Sequence, residues 1–298
     1  MPELPEVETV RRGLSPVLSG KRIKKIEVLH PRAVRATSKL PLEVAIGARI
    51  EAVERRGKFI WFRLNREFSL IGHLGMSGQM LIVPKNSPLQ KHARARIDFG
   101  DRKNEMRFID QRTFGWLSAD PLIETGNSVL PEPCSHIAPD IFSSEFDKKL
   151  IIAKIQRSNA QIKKVLLNQE IMSGIGNIYA DEALWYSQIH PERIASSLSE
   201  RELADILRSV KKVMNRALQA GGTSFDDLYI NVNGESGYFE VSLCAYGRED
   251  EPCSRCATPI RRIAFANRSS HFCPRCQSAP RRRSVSGKSR RKRGANSR

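Results

Sequence analysis

Four cysteines limit this chain most. They stand as Cys253-x2-Cys256-x16-Cys273-x2-Cys276, two tight knuckles sixteen residues apart. Each knuckle presents two thiolates on a turn, and two knuckles at this separation complete a tetrahedral zinc site. The competing reading, a pair of disulfides, is disfavoured in an intracellular chain. The spacing therefore predicts one structural Zn2+ per chain, and by itself it says little about function. Cys134 and Cys244 lie outside the pattern and read as ordinary thiols. Between the knuckles, residues 259–272 alternate apolar and basic side chains, which suits a β-hairpin with Arg261, Arg262 and Arg268 facing outward. Such a hairpin serves equally as a reader of backbone phosphates or as a solvated basic surface.

Charge narrows the partner. The 298-residue chain carries a formal net charge of +18, and residues 281–298 hold nine Lys/Arg and no acid. Half the excess thus remains on residues 1–280, which favours a polyanionic partner over a merely solubilising tail, and nucleic acid over a membrane because no basic amphipathic helix stands out. No run of eighteen apolar residues exists, and the acidic N-terminus has no apolar stretch of the signal-peptide kind, so a soluble cytoplasmic protein without a membrane span is expected. The length suggests two domains, and 40% hydrophobic residues suffice for a core without covalent staples.

Periodicity divides the chain. Leu4, Val7, Val10 and Leu14 form one apolar helical face, with Pro5 suited to a first helical position, Glu6 and Glu8 in the first turn and Arg11 and Arg12 later, as the helix dipole prefers. Gly20 is a plausible stop. Residues 49–64 then read as two strands around Gly57, followed by β-rich runs at 68–73, 79–83, 93–99, 106–109 and 115–117. A β-sandwich or barrel over 1–125 follows. Residues 126–143, with Pro131, Pro133 and Pro139, read as a linker. Helical periodicity starts at Ser144 and continues through Ile162–Leu166, a helix after Gly174-Ile-Gly176, and a long helix behind Ser199 that stops at Gly221-Gly222. The fold class is α+β in two domains: an N-terminal β-sandwich or barrel with an N-terminal helix over 1–125, a helical domain over 144–240, a zinc-bound hairpin over 241–277 and a basic tail over 278–298.

Several motifs, in order and spanning residues 2–276, resemble formamidopyrimidine-DNA glycosylase: Pro-Glu-Leu-Pro-Glu-Val-Glu-Thr-Val-Arg-Arg at 2–12, His73-Leu-Gly-Met-Ser-Gly78, Gly174-Ile-Gly-Asn-Ile-Tyr179 and the cysteine module. Leu4, where endonuclease VIII relatives typically have Gly, favours the oxidised-purine branch. The resemblance implies a β-sandwich for the N-terminal domain, a helix–two-turns–helix element in the helical domain and double-stranded DNA in the cleft between domains. It implies a monomeric bifunctional glycosylase and AP lyase that removes 8-oxoguanine and formamidopyrimidines and then cuts the strand at the abasic site. An oxidised-pyrimidine glycosylase and a catalytically silent DNA-binding protein are the alternatives.

Carried over residue by residue, the resemblance makes Pro2 the nucleophile once Met1 is removed. The chemistry is apt, since a terminal secondary amine titrates near ~8 and keeps a neutral fraction at pH 7. Glu3 becomes the proton donor, and Glu6 a supporting acid that helix N-terminal charge explains equally well. Lys58 is matched to β-elimination. Arg268 is matched to δ-elimination and to phosphate binding, and the second suits a guanidinium better because it holds its protons tightly. Met76, Arg112 and Phe114 correspond to the side chains that fill the gap left by an extruded nucleotide, although Gln111 and Thr113 depart from the family's commoner Asp-Pro-Arg-Arg-Phe loop. His92, Lys163 and Asn177 correspond to DNA contacts. Near Arg157-Ser158 the family often has a DNA-binding lysine that this chain lacks. Residues 221–239 resemble the loop that closes over the extruded base.

Overall fold

The computed structural model describes residues 2–126, 128–221 and 243–279. The expected closing loop, apart from Gly221, and the basic tail beyond Ala279 lie outside the described residues. Two antiparallel sheets build the N-terminal part. One has the order β1-β6-β7-β5, from Lys25–Val28, Ala93–Asp98, Asn104–Asp110 and Gly78–Pro84. The other has the order β2-β3-β4-β8-β9, from Ile50–Arg56, Phe59–Leu64, Phe68–His73, Trp116–Thr125 and Ser128–Pro131. Their inward residues, among them Ile60, Phe62, Leu70, Leu117, Ala95, Met106 and Phe108, form one core with the apolar stripe Val7, Val10, Leu14 and Leu18 of helix α1 (Leu4–Leu18). Two antiparallel sheets sharing one core make this a sandwich.

A second core is helical. It joins α2 (Lys148–Gln156), α3 (Ile162–Leu166), α4 (Asn177–Ser187) and α5 (Glu200–Gln219), and it includes Leu4 of α1. Leu4 therefore packs into the helical half while the rest of the α1 stripe packs into the sandwich, so α1 spans the junction. Residues 167–176 connect α3 to α4. The hairpin β10 (Arg261–Phe265) and β11 (Arg268–Phe272) closes the described chain through Ala266 and Asn267, both at positive φ. Among the described residues no helix is long and apolar enough to cross a membrane.

Four elements differ from those expected. β8 extends from Trp116 to Thr125 rather than ending at Leu117, because it pairs with β4 as far as Phe68↔Pro121 and Asp120 Oδ1 accepts the Lys39 backbone N–H. β9 occupies the start of the segment expected to be linker, pairing back on β8 at Leu122↔Pro131. α2 starts at Lys148 and not at Ser144, since Asp147 caps it by accepting the N–H groups of Lys149 and Leu150. α1 is capped by Glu3, with Glu6 completing a capping box, which puts Pro5 at the second helical position.

Candidate active site and zinc centre

Helix α4 is short, buried on nearly every side and polar at intervals, so its polar groups must find partners inside the protein. The most consequential partner is Glu3. Its carboxylate, in a residue only 2% exposed, sits on the α4 N-terminus and accepts the backbone N–H groups of Gly176 at 2.6 Å, Ile178 at 2.8 Å and Tyr179 at 3.3 Å. Gly176 permits this approach: a Cβ there would stand 2.3 Å from Glu3 Cδ. The neighbouring backbone is held too, because Leu4 N–H donates to the Gly174 carbonyl at 3.0 Å, and Gly174 adopts φ +90 against the Leu4 side chain. Glu6 takes the Glu3 backbone N–H at 2.8 Å and the Tyr179 hydroxyl at 2.7 Å. Pro2, itself buried, is thus anchored through the residue that follows it.

Charge in this pocket is poorly solvated. Burial pushes the Glu3 carboxyl up to about 7, with Glu6 adding to the rise and Lys58 and the backbone N–H groups of Ile178 and Gly176 opposing it. Lys58 is lowered, chiefly by burial and then by the positive charge of Arg268, against the pull of Glu3 and Glu6. Both shifts move an acid and a base towards neutrality, the condition for exchanging protons near pH 7. Lys58 is not the strand lysine that the β-rich run 49–64 suggests. It lies in the two-residue turn between β2 and β3, whose Gly57 has φ +56 and whose Cβ would meet Ser173 Cβ at 2.8 Å. That turn therefore packs on the segment leading into α4, and Lys58 comes to Glu3 by way of it. Behind it, His73 stacks on Trp116 with Phe59 tilted against it, and burial, with Lys58 and Arg35, pushes His73 down to about 4.

A second group of residues stands on two adjoining turns of the sandwich. Met76 is 37% and Phe114 59% exposed, unusual for large apolar side chains. The two turns touch, since a Cβ on Gly75 would come within 2.4 Å of the Phe114 carbonyl carbon and the Gly115 nitrogen. Asp110 shapes the second turn: it accepts the Ser77 hydroxyl at 2.5 Å and the N–H groups of Arg112 at 3.1 Å and Gly115 at 2.6 Å. Arg112 is exposed beside Phe114, and Thr113 adopts φ 53, strained for a β-branched residue.

The four cysteines converge. Their sulfurs all lie within 4.8 Å of one another, with Cys256 3.4 Å from Cys273 and from Cys276. Those separations exclude disulfides, whose sulfurs sit ~2.05 Å apart. They suit a tetrahedron of ~2.3 Å zinc–sulfur bonds, which spaces its corners by about 3.8 Å. The disulfide reading is thereby overturned, and the donor set fits one structural zinc.

Three family models cover most of the chain: formamidopyrimidine-DNA glycosylase N-terminal domain at residues 1–117, formamidopyrimidine-DNA glycosylase H2TH domain at 137–228, and the zinc finger found in FPG and IleRS at 250–279. The formamidopyrimidine-DNA glycosylase of Nocardioides sp. is 51% identical over 288 residues, 95% of this chain and 96% of that one. That of Nocardia farcinica is 49% identical over 295 residues, covering 95% of this chain and 100% of its own. The chain belongs to the formamidopyrimidine-DNA glycosylase family. Among solved structures, MutM in complex with carbocyclic 8-oxo-G containing DNA matches with TM-score 0.79 at 34% identity, over 93% of this chain and 100% of that one. The Lactococcus lactis Fpg bound to abasic site containing DNA matches with TM-score 0.79 at 33% identity, with the same coverage.

Within the family's fold, the predicted residues divide. Glu3, Glu6 and Lys58 meet at one point, and Arg268 acts on Lys58 electrostatically from the start of β11. Met76, Arg112 and Phe114 share the exposed double turn, and His92 is half-buried near it, its carbonyl taking the Asp110 N–H at 2.9 Å. Asn177 donates to the Ser269 carbonyl at 3.0 Å, next to Arg268. Lys163 is 0% exposed, and its ammonium pairs with Asp181 Oδ1 at 2.7 Å and donates to the Ser269 carbonyl at 2.8 Å. It thereby ties β11, beside Arg268, to α3 and α4. Sequence reasoning missed Gly176, Asp110, Asp181 and Glu182. Asp181 also accepts the Ser270 hydroxyl and the His271 N–H, and Glu182 accepts the N–H groups of Cys244, Ala245 and Tyr246. Adjacent acids on an otherwise apolar helix were the signal available.

Proposed function

We propose that this chain removes oxidised purines, 8-oxoguanine and formamidopyrimidines, from double-stranded DNA in base excision repair and then cleaves the strand at the abasic site by β,δ-elimination. It acts as a monomer, in the bacterial cytoplasm where its relatives' DNA resides, with zinc in a structural role. The observation that carries the reading is the Glu3 carboxyl, buried on the α4 N-terminus with its pKa raised to about 7 and joined covalently to Pro2. With Met1 removed, the Pro2 amine attacks C1′ of the sugar and displaces the base, which leaves with the proton that the Pro2 nitrogen releases. The C1′–O4′ bond then opens as Glu3 delivers its proton to O4′. The resulting iminium acidifies the C2′ proton, which Lys58, lowered by burial, is suited to accept. Elimination of the 3′ phosphate follows, and Arg268 holds phosphate beside the lesion. The exposed Met76 and Phe114 enter the gap left by the extruded nucleotide, and Arg112 faces the orphaned base.

Borohydride reduction during reaction with an 8-oxoguanine duplex should trap a covalent adduct at residue 2, on protein whose intact mass shows Met1 gone. Absence of adduct on such protein rejects the enzyme reading. Faster release of thymine glycol than of 8-oxoguanine rejects the oxidised-purine assignment while leaving the lyase intact.

A further inference from the structure

The zinc module meets the helical core at the C-terminal end of α4, and the residue at that junction is Trp185. It is 5% exposed and packs in one cluster with Cys253 and Cys273, with Cys244, Cys256 and Cys276 at its edge. Arg255, inside the first knuckle, lies 4.0 Å over the indole ring, and both of its terminal nitrogens donate to the Trp185 carbonyl at 3.2 Å. The knuckle therefore grips the tryptophan from ring face and backbone together.

One atom is left to account for. The indole Nε1 is shut off from solvent and meets no acceptor at full hydrogen-bonding geometry. A buried donor without an acceptor is costly, and most such donors in native proteins prove to have one. The acceptors packed around the ring are sulfurs: Trp185 shares one buried cluster with Cys253 and Cys273, and Arg255 clamps it against the knuckle that Cys253 opens. A zinc-bound thiolate is a stronger acceptor than a thiol, so metal binding supplies what the indole lacks.

We propose that Trp185 is a positioning residue of the zinc centre, its indole N–H donating to the Cys253 thiolate while Arg255 fixes the ring against the first knuckle. Partners that hydrogen-bond metal ligands orient them and adjust their donor strength. Here the orienting group belongs to the helix whose opposite end carries Glu3, and Asp181 on the same helix holds β11, which begins at Arg268. The metal thus secures the register of one rigid rod between the reacting acid and the arginine hairpin.

The test uses the full zinc-loaded chain, with metal content measured first so that absence of zinc is recognised separately. Trp185→Phe keeps the ring and its stacking on Arg255 and removes only the N–H. Transfer of zinc to a chromogenic chelator should accelerate about tenfold. In the cobalt-substituted protein, the sulfur-to-cobalt charge-transfer band should move to lower energy, because a thiolate without its hydrogen bond is easier to oxidise. An unshifted band or an unchanged release rate overturns the proposal. If the variant does not fold, the unsubstituted protein answers through its three tryptophans. With 15N-labelled tryptophan, one indole N–H signal should move downfield on zinc loading and vanish when cobalt replaces zinc. Three unaffected signals overturn the proposal.

Discussion

Replacing Glu3 by Gln removes the titration and keeps the shape, and its effect on stability should depend on pH in a direction that the structure dictates. The Glu3 carboxyl titrates near 7 when folded and near 4.5 when unfolded. Between those values the folded protein holds a proton that the unfolded chain has released, so its stability falls as pH rises through the window. Below pH 4.5 both states are protonated and nothing is lost; above pH 7 the loss is complete. Integrated from pH 5 to pH 8, a shift of this size amounts to about 2 to 3 kcal/mol. The amide cannot titrate, so Glu3→Gln should gain that amount relative to the unmutated protein over the same interval, whatever its absolute stability. Urea unfolding of both proteins at pH 5 and pH 8 measures it, because changes at other titrating groups cancel in the difference. A difference constant within ~0.5 kcal/mol would refute the claim that burial governs this carboxyl. The unmutated enzyme should also lose single-turnover excision with one proton as pH rises above about 7, and the variant should be slow at every pH.

Lys163→Ala leaves Asp181 charged and buried without its ion pair and should cost about 3 to 5 kcal/mol in urea unfolding; reduced DNA affinity at unchanged stability would instead place Lys163 at a phosphate. Gly176→Ala forces a Cβ against the Glu3 carboxylate, so we expect about 1 to 3 kcal/mol of destabilisation and a loss of excision of at least ~100-fold, and normal excision kinetics would remove Glu3 from that helix end. Met76→Ala and Phe114→Ala should leave unfolding within ~0.5 kcal/mol of the parent yet slow excision from a duplex, and least when the lesion is mispaired and already unstacked. Cys253→Ser should lower zinc from about one per chain to none by elemental analysis; unchanged content would reject the four-thiolate site.

Much of the architecture could be read along the chain because it follows from local period. A β-rich run between turn residues gave β4 at 68–73 with its observed bounds, the 3.6-residue stripe gave α5 behind its Ser199 cap, and the paired knuckles gave the thiolate tetrahedron. β9 and the extension of β8 were hidden because their sequence is rich in Pro, Asp and Glu, and only pairing partners distant in sequence make it a sheet. For the candidate site, motif likeness named Glu3, Lys58 and Arg268, yet their chemistry was not local. A glutamate beside a proline is an ordinary solvated acid until Gly176 lets a helix terminus from 173 residues away close over it. Likewise a lysine is an exposed cation or the hidden half of an ion pair according to what the fold packs on it, and that is why Lys163 could be named from the chain but not placed. Sequence by itself determined which elements form and which side chains carry reactive groups. The tertiary structure decided which of those groups lose water and face one another, since desolvation and charge coupling depend on distances through space that no residue spacing encodes.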